Sequence, residues 1–315
     1  MTTLTPGQHI HLVGIGGFGL SAIARVLLQK GFRVSGSDRM QNAFTSALAQ
    51  EGAEIHIGHD AAYVANADLL IATSAAPADH VELAAARALG IPVYKRSDMI
   101  AALMDGQHGI AIAGTHGKTT TTAMLTHILL ETGRDPSYVI GGILRTSGVN
   151  AGVGKGPAFV IEADEYDNMF HGLRPQTAVI TNVEWDHPDF FPTPQVLSDS
   201  FRHFANLLPA DGLLIACADD PGAAALAAER RARGIITVTY GFSDDASWTA
   251  ADLRRGSSGY RFTIVRGGAP AAEVHLKVPG RHNVHNTLAA LIAAQHQGVD
   301  LTEAAAALAQ FEGTG

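Results

Sequence analysis

Ala113-Gly114-Thr115-His116-Gly117-Lys118-Thr119-Thr120-Thr121-Thr122 decides the reading of this chain. The stretch follows a short apolar run, 109–113, that reads as a buried strand. It precedes 123–130, which reads as the start of a helix. A glycine turn between a strand and a helix N-terminus aims backbone N–H groups at one spot. The helix dipole and the unpaired donors together make that spot suit an anion. Lys118 adds a point charge for outer phosphates, and Thr119 offers a hydroxyl to Mg²⁺. The ligand expected is a nucleoside triphosphate with Mg²⁺. Ile112 stands where the full P-loop pattern has its first glycine. What remains, Gly-x-x-Gly-Lys-Thr, is also what an ordinary glycine turn capped by threonines would show.

Working outward, alternating short strands and helices predict an α/β protein. N-terminal strands are expected at 9–14, 32–37, 54–57, 68–73 and 91–94, with helices at 18–30, 43–52 and 81–89. This is a Rossmann-like parallel sheet covered on both faces. The unit is expected to span 1–107. A second α/β unit, 108–315, opens with the P-loop strand. It continues with strands at 158–162, 177–182, 213–216 and 236–240, and with helices at 198–208 and 285–297. Strands at 260–265 and 273–277 read as an antiparallel add-on.

The chain has 315 residues, enough for two domains, and 46% of them are hydrophobic. A formal net charge of −8 argues against broad nucleic-acid or anionic-membrane binding. Cys217 is the only cysteine, which excludes an intrachain disulfide and fits a reducing cytoplasm. The polar start, 1–8, has no apolar signal core, and no uncharged run is long enough to span a bilayer.

The first unit carries its own phosphate pattern. Gly14-Ile15-Gly16-Gly17-Phe18-Gly19 fits Gly-x-Gly-x-x-Gly between strand and helix, and Asp38 ends the next strand. It suits a dinucleotide or another diphosphate. An NAD-dependent oxidoreductase is one reading, although it leaves the second domain unexplained. A nucleotide-binding regulatory module is another. A nucleotide-linked substrate on one domain and ATP on the other is simpler.

Three further segments follow. Glu162-Ala163-Asp164-Glu165-Tyr166-Asp167 ends an apolar strand, where a phosphate-bridging Mg²⁺ needs an oxygen ligand; the alternative is a solvated acidic loop. Thr181-Asn182-Val183-Glu184-Trp185-Asp186-His187 ends another strand at the same edge. His187 there could ligate a second metal, contact phosphate, or be structural. Gly280-Arg281-His282-Asn283-Val284-His285-Asn286 precedes the last long helix. Its Asn amides could read an adenine edge or simply cap the helix.

In this order the five motifs resemble the Mur ligases of peptidoglycan synthesis, from about His9 to the C-terminus. The resemblance implies ATP-driven amide bond formation through an acyl phosphate. It implies UDP-N-acetylmuramate and an amino acid as substrates, ATP and Mg²⁺, no nucleic-acid partner, no membrane insertion and a cytoplasmic site; it fixes no oligomeric state. Ser35-Gly36-Ser37-Asp38 with the glycine turn resembles the L-alanine-adding branch. The segment 159–167, with Tyr166, also resembles the murein-tripeptide-recycling branch, which typically is bulkier at 17–21.

Carried onto this sequence, Gly114, Thr115, His116, Gly117, Lys118, Thr119 and Thr120 would bind ATP phosphates, and His282, Asn283 and Asn286 its adenine. Thr119 and Glu162 would hold the first Mg²⁺, and His187, with Glu162, a second. Lys118, Glu162 and His187 would be catalytic. Gly14, Ile15, Gly16, Gly17, Phe18, Gly19, Ser37, Asp38 and Ser74 would bind the UDP-sugar. Several relatives use a carbamylated lysine after the Asp-His pair; this chain has no lysine between Lys155 and Lys277. The family has a third, Rossmann-like domain. Phe311-Glu312-Gly313-Thr314-Gly315 resembles the linker into it, so that domain is expected to be absent and the chain truncated and inactive.

Overall fold

The computed structural model describes residues 4–256 and 259–315; the first three residues of the polar start lie outside them. The chain divides into two compact units, one of Met1–Asp105 with Ala151–Val153, the other of Gly106–Asn150 with Gly154–Gly315.

In the first unit the chain runs β1 (His9–Val13), α1 (Phe18–Gln29), β2 (Arg33–Asp38), α2 (Ala43–Gln50), β3 (Glu54–Ile57), β4 (Leu69–Ala72), α3 (Val81–Ala88), β5 (Val93–Lys95) and α4 (Arg96–Leu103). The strands form a parallel sheet in the order β3-β2-β1-β4-β5. The order reverses at β1, between β2 and β4, and the crevice outside the strand ends at such a reversal is where open α/β sheets hold ligands. β1 is buried along its whole length, as a central parallel strand must be.

The remaining elements, in the second unit apart from the end of β8, are β6 (His108–Ala113), α5 (Lys118–Glu131), β7 (Ser137–Leu144), β8 (Val149–Gly152), β9 (Ala158–Glu162), β10 (Thr177–Ile180), α6 (Pro194–Ala205), β11 (Leu213–Cys217), α7 (Pro221–Ala232), β12 (Ile236–Gly241), β13 (Trp248–Gly256), β14 (Gly259–Arg266), β15 (Ala269–Leu276), α8 (His282–His296) and α9 (Leu301–Leu308). The sheet order is β15-β14-β13-β12-β11-β10-β6-β9-β7-β8. From β9 to β13 the characterised pairings are parallel, and β13, β14 and β15 form the antiparallel extension. β6 lies between β9 and β10, so the turn after it opens at a strand-order reversal. α5 is buried on nearly all sides from Thr121 to Leu129, because α8 and α9 cover it from above the sheet.

Several expected elements needed correction. The helix expected at 198–208 starts at Pro194, because Thr193 caps it through the Val196 amide and proline tolerates the first helical position. The strand expected at 177–182 ends at Ile180; Thr181 and Asn182 leave it to hold the P-loop. The last long helix starts at His282 rather than 285. The sequence reading missed α4, β7, β8, α7, β13 and α9.

Candidate active site

Gly117, at φ +83°, turns the chain into α5, whose first residue is Lys118. The amides of the first helical turn, at Lys118, Thr119 and Thr120, therefore have no acceptor within the helix. The segment after β10 pins the loop before them. Asn182 accepts the His116 amide at 2.8 Å through its side chain and the Thr115 amide at 3.2 Å through its carbonyl. Thr181 Oγ1 donates to His116 O at 2.6 Å. The Thr115 hydroxyl exchanges hydrogen bonds with the Glu184 backbone, at 2.8 and 2.9 Å. The Thr-Asn-x-Glu motif thus shapes the phosphate loop.

Thr119 Oγ1 donates to Glu162 Oε1 at 3.0 Å. Glu162 ends β9, one strand from the P-loop strand. Its other oxygen accepts the Gly141 amide of β7 at 2.7 Å. A Cβ on Gly141 would collide with that carboxylate, which accounts for the glycine. Burial pushes the Glu162 carboxyl above its usual range, opposed by the Gly141 amide, Thr119 and Lys118. A hydroxyl and a carboxylate this close are hard oxygen donors of the kind Mg²⁺ takes, so the pair fits that ion.

Lys118 Nζ folds back onto the loop. It donates to Gly114 O at 2.6 Å, to Thr115 O at 3.2 Å and to Glu165 Oε1 at 3.0 Å. Glu165 is only 1% exposed and was absent from the expected site residues. It also lies 3.8 Å from His187 Nε2. His187, expected beside Glu162, thus has Glu165 as its neighbouring buried carboxylate. His187 takes a left-handed backbone, φ +54°, and packs edge-on against Tyr166, whose hydroxyl donates to Asp189 at 2.8 Å.

The three residues expected at the adenine divide. Asn283 Nδ2 donates to Pro279 O at 2.6 Å, and Asn286 Nδ2 to Asn283 Oδ1 at 3.0 Å. Both are buried, and these bonds take up a donor of each amide. His282 instead lines a 540 Å³ cavity with Asp219, Phe242, Ser243, Arg281 and His285. Arg281 lies 4.1 Å over the Phe242 ring, and His285 is 2.7 Å from Asp219, whose oxygens also accept the Phe242 and Ser243 amides. Of this group the sequence reading expected only His282 at the adenine, although Arg281 and His285 lie in the same motif. Burial pushes the thiol of nearby Cys217 up to about 11, which disfavours the thiolate.

In the first unit the glycine turn is partly self-satisfied. Gly14 and Ile15 donate to Ser37 O, Gly17 to Gly14 O, and Gly16 to the Asp38 carboxylate at 2.8 Å. Ile15 is a core residue, and Phe18 packs edge-on against Phe44. Ser37 is fully buried: its hydroxyl donates to Glu82 at 2.8 Å, so its side chain does not face an open ligand site. Ser74, just beyond β4, is exposed. The sequence reading overlooked Arg96, the first residue of α4. Its guanidinium lies where a Cβ on Gly19 would fall, which places a cation on the turn. It also overlooked the buried network below, where His11 and His59 contact Glu82 at 2.9 and 3.0 Å.

Residues 9–108 match the model of the "Mur ligase family, catalytic domain" and residues 112–294 that of the "Mur ligase middle domain". A UDP-N-acetylmuramate–L-alanine ligase of Arthrobacter sp. (strain FB24) is 46% identical over 96% of this chain, which spans 64% of that relative's length. A ligase of the same name from Paenarthrobacter aurescens is 46% identical over 99% of the chain and 69% of its own length. Among solved structures, the UDP-N-acetylmuramate:L-alanyl-gamma-D-glutamyl-meso-diaminopimelate ligase of Neisseria meningitides superposes with a TM-score of 0.89 at 30% identity. That match covers 97% of this chain and 98% of the other. The UDP-N-acetylmuramate-alanine ligase of Thermotoga maritima gives 0.85, also at 30%, over 97% and 69%. With both of its units accounted for and a relative this similar over its length, the chain belongs to the Mur ligase family.

Proposed function

We propose that this chain supplies the UDP-sugar- and ATP-binding units of a UDP-N-acetylmuramate–L-alanine ligase, an ATP-dependent amide ligase of peptidoglycan synthesis. The observation that carries the reading is the pairing of Thr119 with Glu162 at the mouth of the P-loop. The 46% identity to alanine-adding relatives favours that branch. The superposition on the Neisseria enzyme keeps tripeptide recycling as the second reading.

The substrate carboxylate attacks the γ-phosphate of ATP and displaces ADP; the amino group then attacks the carbonyl of the acyl phosphate, forming the amide as phosphate leaves and the amine gives up a proton. Such a transfer asks the protein for position and charge rather than covalent work. Lys118 neutralises the outer phosphates, and the first-turn amides of α5 hold their oxygens. Thr119 and Glu162 would hold Mg²⁺, which when bound would supply positive charge to offset the developing negative charge of the transfer. Phe242 and Arg281 offer a flat stacking surface for the nucleobase, beside His282. The UDP diphosphate is assigned to the Gly14–Gly19 turn with Arg96. The reaction belongs in the cytoplasm, where its nucleotide substrates are; no helix among the described residues is long and apolar enough to cross a membrane.

Isothermal titration tests the reading. UDP-N-acetylmuramate and ATP·Mg²⁺ should bind with 1:1 stoichiometry each, and neither should displace the other. Tight NADH binding that UDP-N-acetylmuramate cannot compete away would replace this reading with the oxidoreductase.

A further inference from the structure

Glu165 stands between two basic side chains on different elements. Lys118, on α5, has Nζ 3.0 Å from each carboxylate oxygen, and His187, after β10, has Nε2 3.8 Å from Oε1. The carboxylate is 1% exposed and the lysine side chain 14%. Lys118 held this way also spends donors on Gly114 O and Thr115 O, inside the loop that would receive phosphate. A triphosphate on that loop needs the same ammonium. Taking it leaves a buried carboxylate uncompensated next to a polyanion, which is strongly unfavourable. Either the nucleotide binds poorly or another cation replaces the lysine. Besides Lys118, the side chain that approaches the Glu165 carboxylate is His187, with Nε2 3.8 Å from Oε1.

Resting on the nucleotide site proposed above, we propose that Glu165 is a two-position counterion. Without nucleotide it parks Lys118 on the loop. Once phosphate takes Lys118, it becomes the anionic oxygen that, with His187, draws in a divalent cation. Nucleotide and cation therefore bind cooperatively at this point, each raising the other's affinity by the same factor. Glu165 is a positioning residue: it acts on phosphate through Lys118. Its role is separate from that of Glu162, whose carboxylate oxygens accept from Thr119 and Gly141.

The test is calorimetric titration of the chain with the non-hydrolysable analogue AMP-PNP, in EDTA and again in Mn²⁺. In Glu165→Gln the metal-free affinity should rise by about fivefold or more, since the carboxylate no longer competes with phosphate for Lys118. The gain on adding Mn²⁺ should shrink by about tenfold, within the usual span of coupling between sites. Glu162→Gln should lose metal gain without any rise in metal-free affinity. Glu165→Asp, which keeps the charge, should retain a metal gain nearer the wild type and serves if the Gln variant does not fold. A merely structural Glu165 would weaken both affinities together. Metal-free affinity in Glu165→Gln equal to or below the wild type overturns the proposal while leaving the nucleotide site standing. Failure of the wild type to bind AMP-PNP in either buffer overturns the site itself.

Discussion

Asn286 Oδ1 lies 2.6 Å from where a Cβ on Gly117 would be, so the last long helix touches the phosphate loop through one amide oxygen. The Asn283–Asn286 hydrogen bond fixes that amide. Two motifs far apart in sequence thus share one contact, and Gly117 is doubly required: by its positive φ and by this neighbour.

Gly117→Ala should therefore weaken ATP·Mg²⁺ binding by at least about tenfold, with backbone strain of ~1 kcal/mol as one part. In the double variant Gly117→Ala/Asn286→Ala some affinity should return, because the steric part is gone. A double-mutant cycle by titration calorimetry measures the coupling, and strict additivity would mean the two residues do not interact.

Lys118→Ala should cost about 10–100-fold in ATP affinity, the usual value of a hydrogen bond to a charged group. UDP-N-acetylmuramate affinity should not change, since the two sites lie in separate units. The substitution also leaves Glu165 buried and unpaired, at a stability cost of about 3 kcal/mol. Adding Glu165→Gln should recover most of that loss in urea unfolding.

Arg96→Gln should weaken UDP-N-acetylmuramate binding about tenfold and leave ATP·Mg²⁺ binding unchanged. The motivation is the guanidinium lying against Gly19 on the expected diphosphate turn. Unaltered UDP-sugar affinity would remove Arg96, and with it the turn, from the site.

The Glu82 network makes the first unit acid-sensitive. Burial alone would push the Glu82 carboxyl up, but hydrogen bonds from His11, Ser37 and His59 together hold it below its ordinary value. A folded-state value below the unfolded one stabilises the fold above about pH 4.3, and that share is lost as pH falls through the lower folded value. Urea unfolding from pH 7 to pH 3 should show this loss in the wild type. In Glu82→Gln the slope over that window should be shallower and the stability at pH 7 lower by about 2 kcal/mol. An unchanged slope would mean that Glu82 does not carry the acid response.

The parts of the fold written as apolar runs between turn signals were legible in the sequence. β3 and β9 fall where the sequence reading puts them, and of the antiparallel extension β14 and β15 were read as strands while β13 was not. β7 was hidden because Gly141 and Gly142 interrupt its apolar pattern, and Gly141 is there for the Glu162 carboxylate. α4 was hidden because it starts directly after β5 with no loop; its signal was Asp98, which accepts the Lys95 amide at 2.8 Å. α7 had a readable start in Asp220-Pro221, an N-cap followed by proline. At the candidate site, the glycine turn with Lys118 and Thr119 could be read from the sequence pattern, and the family resemblance singled out Glu162 within its acidic cluster. Glu165, Arg96 and the Phe242–Arg281 pair could not, because their roles come from strands and helices that only the fold brings together.

The most direct test of the central claim is a crystal of this chain grown with UDP-N-acetylmuramate, AMP-PNP and Mn²⁺. The account predicts diphosphate density on the Gly14–Gly19 turn beside Arg96, triphosphate density over Gly114–Thr119, and anomalous manganese density within coordination distance of Thr119 and Glu162. Manganese far from both Glu162 and His187, or a UDP-sugar bound away from the first unit's glycine turn, would contradict it.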